Sequence, residues 1–143
     1  MNWKSEAIDH LSRYTAMSRA VENIPRELKI LEKAAADLKG VCPDQIRGGG
    51  YSGPGDDAII GNLMKREELN RSLEMARLWV ESTQDALSVL SPEEKLVLQR
   101  MYISPEKGVL NVLCGELGLE QSSVYRKRDH ALYRFTMALY GAS

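Results

Sequence analysis

Long apolar runs are missing from this 143-residue chain. No stretch approaches the roughly 18 to 20 consecutive apolar residues that a membrane span needs. The opening MNWKSEAIDH carries acidic residues and no apolar stretch behind them, so it reads as neither a secretory signal nor a transit peptide. Cysteine is scarce. Cys42 and Cys114 lie far apart, and neither has a Cys or His beside it at ligand spacing. That pattern predicts free thiols in a reducing compartment, not a disulfide framework or a metal knot. Net charge is also lacking, at −1 overall, which argues against any partner bound by bulk electrostatics. These absences together predict a cytoplasmic protein with no membrane partner.

Catalytic constellations are missing as well. His10 and His130 stand apart from other candidate groups. The acidic pairs Asp56-Asp57, Glu67-Glu68 and Glu93-Glu94 are sequence neighbours. Neighbours on a helix point in different directions, so these pairs do not converge on a proton or a metal. No Ser, Cys and His set forms a nucleophile with its base. The glycine-rich run at 40–57, GVCPDQIRGGGYSGPGDD, lacks the Gly-Lys-Ser/Thr ending and the preceding strand of a phosphate loop. The expectation is a non-enzyme with no cofactor and no metal site.

What is present is helical periodicity. Hydrophobic residues make up 43% of the chain, enough for a packed core. Over residues 3–22, Ile8, Leu11, Tyr14, Met17 or Ser18, and Val21 recur at spacings of three and four, the mark of one buried stripe. Asn23-Ile24-Pro25 predicts a break, because Pro25 lacks an N–H and disfavours helical geometry at Ile24. A second helix is expected from Pro25 or Arg26 to Lys39, with Leu28, Leu31, Ala35 and Leu38 on one face and Gly40 closing it. The 40–57 run, crowded with glycine and proline, reads as a flexible connection. A long helix follows from Asp56 or Asp57 to about Leu87. Ile59, Leu63, Leu69 or Asn70, Leu73, Ala76, Val80 and Leu87 are its predicted buried face. At 1.5 Å per residue it spans roughly 45 Å and needs a partner along its length. The simplest one is the first helical segment, folded back antiparallel across the glycine-rich loop. Trp3 and Trp79 read as packing or interface residues.

Ser91-Pro92-Glu93-Glu94 is the clearest local signal. Ser91 can cap a helix, Pro92 fits its first position, and Glu94 can reach back to complete a capping box. That helix is expected to run to about Met101–Ile103 and to bury Leu96, Val97 and Met101. A short helix follows, from about Leu110 to Leu117. Gly118 supplies a sharp turn, and a last helix runs from about Gln121 to Tyr140. No segment reads as a strand.

Two helices joined by a tight turn at Gly118 form a helix-turn-helix. Leu113, Leu117, Leu119 and Val124 are its expected apolar wedge, with the small Cys114 at the closest approach of the two helices. The second helix then presents Gln121, Ser122, Tyr125 and Arg126 on its outer face, side chains suited to base edges and phosphate oxygens. Lys127, Arg128 and Arg134 are expected to anchor backbone phosphates. Residues 91–143 carry 7 Lys+Arg against 6 Asp+Glu, so the basic character is local. Two positions depart from an ideal motif. Glu120 stands at the N-cap, where Ser, Thr or Asp is preferred. Gly115 lies inside the first helix of the pair, at a cost of about 1 kcal/mol relative to Ala.

SPEEKLVLQRMY, the motif after it, and RKRDHALYRF resemble region four of bacterial sigma factors, the part that reads a promoter element. The wider layout, with GGGYSGPGDDAI between helical segments, resembles the sigma-like late-gene transcription regulators of phages and prophages (ArpU- and RinA-like proteins). The resemblance implies DNA contacts at Gln121, Ser122, Tyr125 and Arg126. The expected architecture is all-α. It comprises a helical hairpin over residues 1–90, serving as an interaction arm, and a helix-turn-helix domain over residues 91–143. The expected function is sequence-specific binding of double-stranded DNA in transcription control. RNA polymerase is a further partner, and the N-terminal helices are a route to a homo-oligomer. Two alternatives stay open: a phage DNA-packaging protein of the small-terminase type, and a polymerase-binding adaptor that does not touch DNA.

Overall fold

The computed structural model describes residues 2–39 and 54–142. The expectations for the 40–53 run, with Gly40 and Cys42, lie outside the described residues. The fold is all-α, with no strand among the described residues. Among the described residues six α-helices follow in order: α1 (Trp3–Ser12), α2 (Tyr14–Lys39), α3 (Pro54–Ser88), α4 (Pro92–Leu98), α5 (Val109–Leu117) and α6 (Gln121–Tyr140). A single π-helical turn, Gln99–Ile103, extends α4.

The first predicted helix is divided at Arg13, which sequence periodicity did not foresee. Asn2 caps α1 by accepting the Ser5 N–H at 3.2 Å. At its other end the Ser12 hydroxyl donates to the Ile8 carbonyl at 2.8 Å. Such back-bonding competes with the helix ladder and bends it. The break expected at Asn23–Pro25 does not occur, because α2 runs through Pro25 without interruption. One proline removes one hydrogen bond, and the apolar positions on both sides continue the same stripe: Val21, Ile24, Leu28, Leu31 and Ala35 are all at least half-buried.

The chain divides into two compact units, one of residues 1–18 with 77–143 and one of residues 19–76. This division differs from the boundary expected near residue 90. The reason lies in the larger unit's core. Ala7 and Leu11 of α1, Ala86 and Leu90 around the end of α3, Leu98 of α4, and Ala131, Leu132 and Phe135 of α6 form one buried cluster. A helix-turn-helix that began at residue 91 would leave half of this cluster uncovered. Polar contacts reinforce the same packing. Trp79 Nε1 donates to the His10 carbonyl at 2.9 Å, and the His10 ring stacks on Trp79 with centroids 4.2 Å apart and planes 8° from parallel. Thr15 Oγ1 donates to the Ile103 carbonyl at 3.3 Å.

The smaller unit pairs the rest of α2 with the first part of α3. Asn62, nearly buried, donates from Nδ2 to the Leu31 carbonyl at 2.9 Å and accepts from Arg66 Nε at 2.9 Å. Ala35, Leu73 and Ala76 are its buried apolar residues among those described. Leu63, expected on the buried face of α3, is 47% exposed. The stripe that faces inward is Ile59, Asn62, Arg66, Leu69, Leu73 and Ala76, regular at steps of three and four, and Leu63 lies off it.

Candidate nucleic-acid interface

Ser91 builds the start of α4 as its sequence predicts. The Ser91 hydroxyl accepts the Glu94 N–H at 3.2 Å, and the Ser91 N–H donates to Glu94 Oε1 at 3.0 Å. The two orphan amides are satisfied reciprocally. Two adjacent residues of α4 then join two cores. Leu98 enters the large cluster, and Val97 enters a second one with Leu113 and Val124. Leu117, Leu119 and Cys114 pack around that second cluster, together with Leu96, Met101, Val109 and Leu110. The apolar wedge of the motif is therefore present, and Cys114 is a free thiol at its edge.

Gly118 makes the turn. Its φ is +65°, in the left-handed region, and it ends α5. The N–H groups of Gly118 and Leu119 both converge on the Cys114 carbonyl, the second at 3.2 Å. This is the closure expected where glycine stops a helix. After the turn Glu120 takes the N-cap position of α6 with extended backbone, and its side chain caps nothing. The first turn of α6 therefore lacks a side-chain acceptor, and no acidic residue stands within it.

Of the seven residues singled out in the sequence, four are exposed on one side of α6, and Lys127, Arg128 and Arg134 are engaged with acceptors of this chain. Gln121, Ser122, Tyr125 and Arg126 are all exposed, at the steps that place them on one side of a helix. Arg126 takes part in no ion pair among the described residues. Tyr125 is 41% exposed, and the Arg128 guanidinium lies over its ring, 4.8 Å from the centroid. Arg128 also donates to Asp129 Oδ1 from Nε at 3.1 Å and from Nη2 at 2.9 Å, and Lys4 reaches the same oxygen at 3.4 Å. Burial alone would raise the Asp129 carboxyl, but Arg128 and Lys4 outweigh it and hold it below the ordinary carboxylate range.

Lys127 and Arg134 occupy a different side of α6, towards α4. Lys127 Nζ donates to Glu93 Oε2. Arg134 donates through Nη1 to Glu94 Oε1 and through Nη2 to the Val89 carbonyl at 2.6 Å. Both cations are thus engaged with this chain's own acceptors, and Arg134 braces the capping box. Sequence reading did not find these pairings because the partner carboxylates are distant in the chain. The side chain of Glu94 is only 6% exposed. Burial pushes its carboxyl up, while the Ser91 N–H and hydroxyl, Arg134 and His130 pull it down further, so it sits below the usual carboxylate range. Its second oxygen, Oε2, has no hydrogen-bond partner among the described residues, and His130 Nε2 stands 4.0 Å from it.

No group of three or more His, Cys, Asp or Glu among the described residues could hold a metal ion, and no described helix is long and apolar enough to cross a membrane. Comparison of the chain with family models, with curated proteins and with solved structures finds no match.

Proposed function

We propose that this protein binds double-stranded DNA in a sequence-specific way through the first turns of α6 and acts in transcription control. The observation that carries the reading is the joint exposure of Gln121, Ser122, Tyr125 and Arg126 directly after the Gly118 turn. Beneath them Val124 is fully buried against Leu113 and Val97. A recognition helix needs this combination: one face locked to the helix before it, and the opposite face free to enter a major groove.

The four side chains divide the work by their chemistry. Arg126 has the fork that matches a guanine edge, and Gln121 can pair with adenine through one donor and one acceptor. Ser122 and the unsatisfied N–H groups of the first turn suit a phosphate oxygen. Tyr125, stiffened by Arg128 across its ring, offers a flat surface beside them. Lys127 and Arg128 reach phosphates only by leaving Glu93 and Asp129, which limits the number of phosphates neutralised and hence the salt dependence of binding. The likeness to sigma region four adds RNA polymerase as a second partner.

Selection of bound duplexes from a random-sequence pool tests the proposal. An enriched motif is the expected result, and its spacing reports whether one copy or two engage the site. No enrichment, together with no salt-dependent retention of any duplex, would overturn it in favour of a polymerase-binding adaptor.

A further inference from the structure

The unit of residues 19–76 carries an apolar surface on the side of α3 that faces away from α2. Ile60 is 55% exposed, Leu63 47%, Met64 63% and Met75 63%. At a helical step of about 100° per residue these four fall within one third of the helix circumference, opposite Asn62, Arg66, Leu69 and Leu73. Glu67, Arg71 and Glu74, all exposed, lie on the same face, and none joins an ion pair among the described residues.

Two pairs of positions on this face are symmetric about Leu69. Two positions before it stands Glu67 and two after it Arg71. Leu63 lies six positions before it and Met75 six after it. A surface of this kind is complementary to itself when turned end for end. Among the described residues the unit's buried apolar side chains are Ala35, Leu73 and Ala76. Two helices stabilise each other weakly without a third layer, and a pair of such hairpins makes a four-helix bundle.

We propose that a second copy of this chain covers this face, with the two α3 helices antiparallel and the two-fold axis level with Leu69. In that arrangement Glu67 faces the partner subunit's Arg71, and Arg71 faces the partner subunit's Glu67. On either side of these ion pairs, Leu63 meets the partner subunit's Met75. The mixed charge on the face selects against a nucleic acid, which demands a basic surface. The proposal makes no use of DNA binding, so the two readings fail separately.

Sedimentation of the full chain across a concentration series tests this. The expected species is a dimer. Arg71→Glu sets acidic groups against each other on both sides of the axis and raises the dissociation constant roughly tenfold or more, with helical content by circular dichroism unchanged. Adding Glu67→Arg to Arg71→Glu restores opposite charges and returns the dimer. A wild-type monomer at high micromolar concentration, a dimer indifferent to Arg71→Glu, or a double variant that stays dissociated would each overturn the proposal.

Discussion

Arg134 closes on the buried carboxylate of Glu94, and through it α6 is tied to the cap of α4. Arg134→Ala leaves that carboxylate without its cation in a site where Glu94 is nearly inaccessible. The expected cost is about 1–3 kcal/mol, less than for a fully buried pair because the arginine is partly in water. Urea denaturation checks it. Arg134 was expected at a phosphate, so the contrast is informative: the variant should lose stability by more than it loses affinity for DNA.

Acid should weaken the fold in two stages. Burial lowers the His10 pKa below 6.5, and a backbone hydrogen bond at Trp79 and the charge of Asp9 only partly oppose this. The folded state therefore holds His10 neutral, and the unfolded chain binds more protons as pH drops below about 6.5. Stability present above that pH is lost as pH falls towards the folded value. Glu94 acts lower. Its folded pKa is depressed, so its contribution is full above the ordinary carboxylate value and is lost as pH falls through the folded one. Replacing His10 by Phe keeps a ring for Trp79 to stack on. It should flatten the upper stage and leave the lower stage in place, measured as denaturation midpoints from about pH 7.5 downwards.

Two glycines of the motif should respond with opposite signs. A Cβ at Gly115 meets nothing within 4 Å and the backbone there is helical, so Gly115→Ala should stabilise by up to about 1 kcal/mol. Gly118 has equal space but a φ of +65°, and Gly118→Ala should destabilise by about 1 kcal/mol through backbone strain alone. Thermal midpoints of the two variants check the pair.

A fragment of residues 91–143 should fail to unfold cooperatively. It would lose Ala7, Leu11, Ala86 and Leu90 from the cluster that covers Leu98, Leu132 and Phe135. Uncovering side chains of this size forfeits about 1.5–3 kcal/mol each. Calorimetry of the fragment beside the full chain provides the comparison. A sharp transition at the full chain's midpoint would show that α1 and the end of α3 are dispensable.

The sequence made local features legible and left their partners hidden. Ser91 and Glu94 form a box readable from four residues, and Gly118 announces its turn, because both effects act within one helical turn. The stripe through Leu11 was equally plain, yet periodicity tells only that a face is buried and not what buries it. Hence the packing of α1 with α6 went unforeseen and the unit boundary was expected too late in the chain. The same limit explains Lys127 and Arg134. A cation next to a motif looks free until the carboxylate opposite it, carried by another helix, is located. The division at Arg13 falls beside a serine hydroxyl bonded to the Ile8 carbonyl, and the continuity through Pro25 rests on packing that outweighs one lost hydrogen bond. Neither leaves a mark on hydrophobic spacing.

DNA recognition by this protein rests on the free face of α6, and Arg126 is the side chain through which to probe it. Fluorescence anisotropy with the duplex recovered from selection gives the affinities of wild type and Arg126→Ala. The variant should bind its site more weakly by about 1–3 kcal/mol and discriminate less well at one base pair, with its fold intact. Equal affinity and equal discrimination in the two proteins would contradict it.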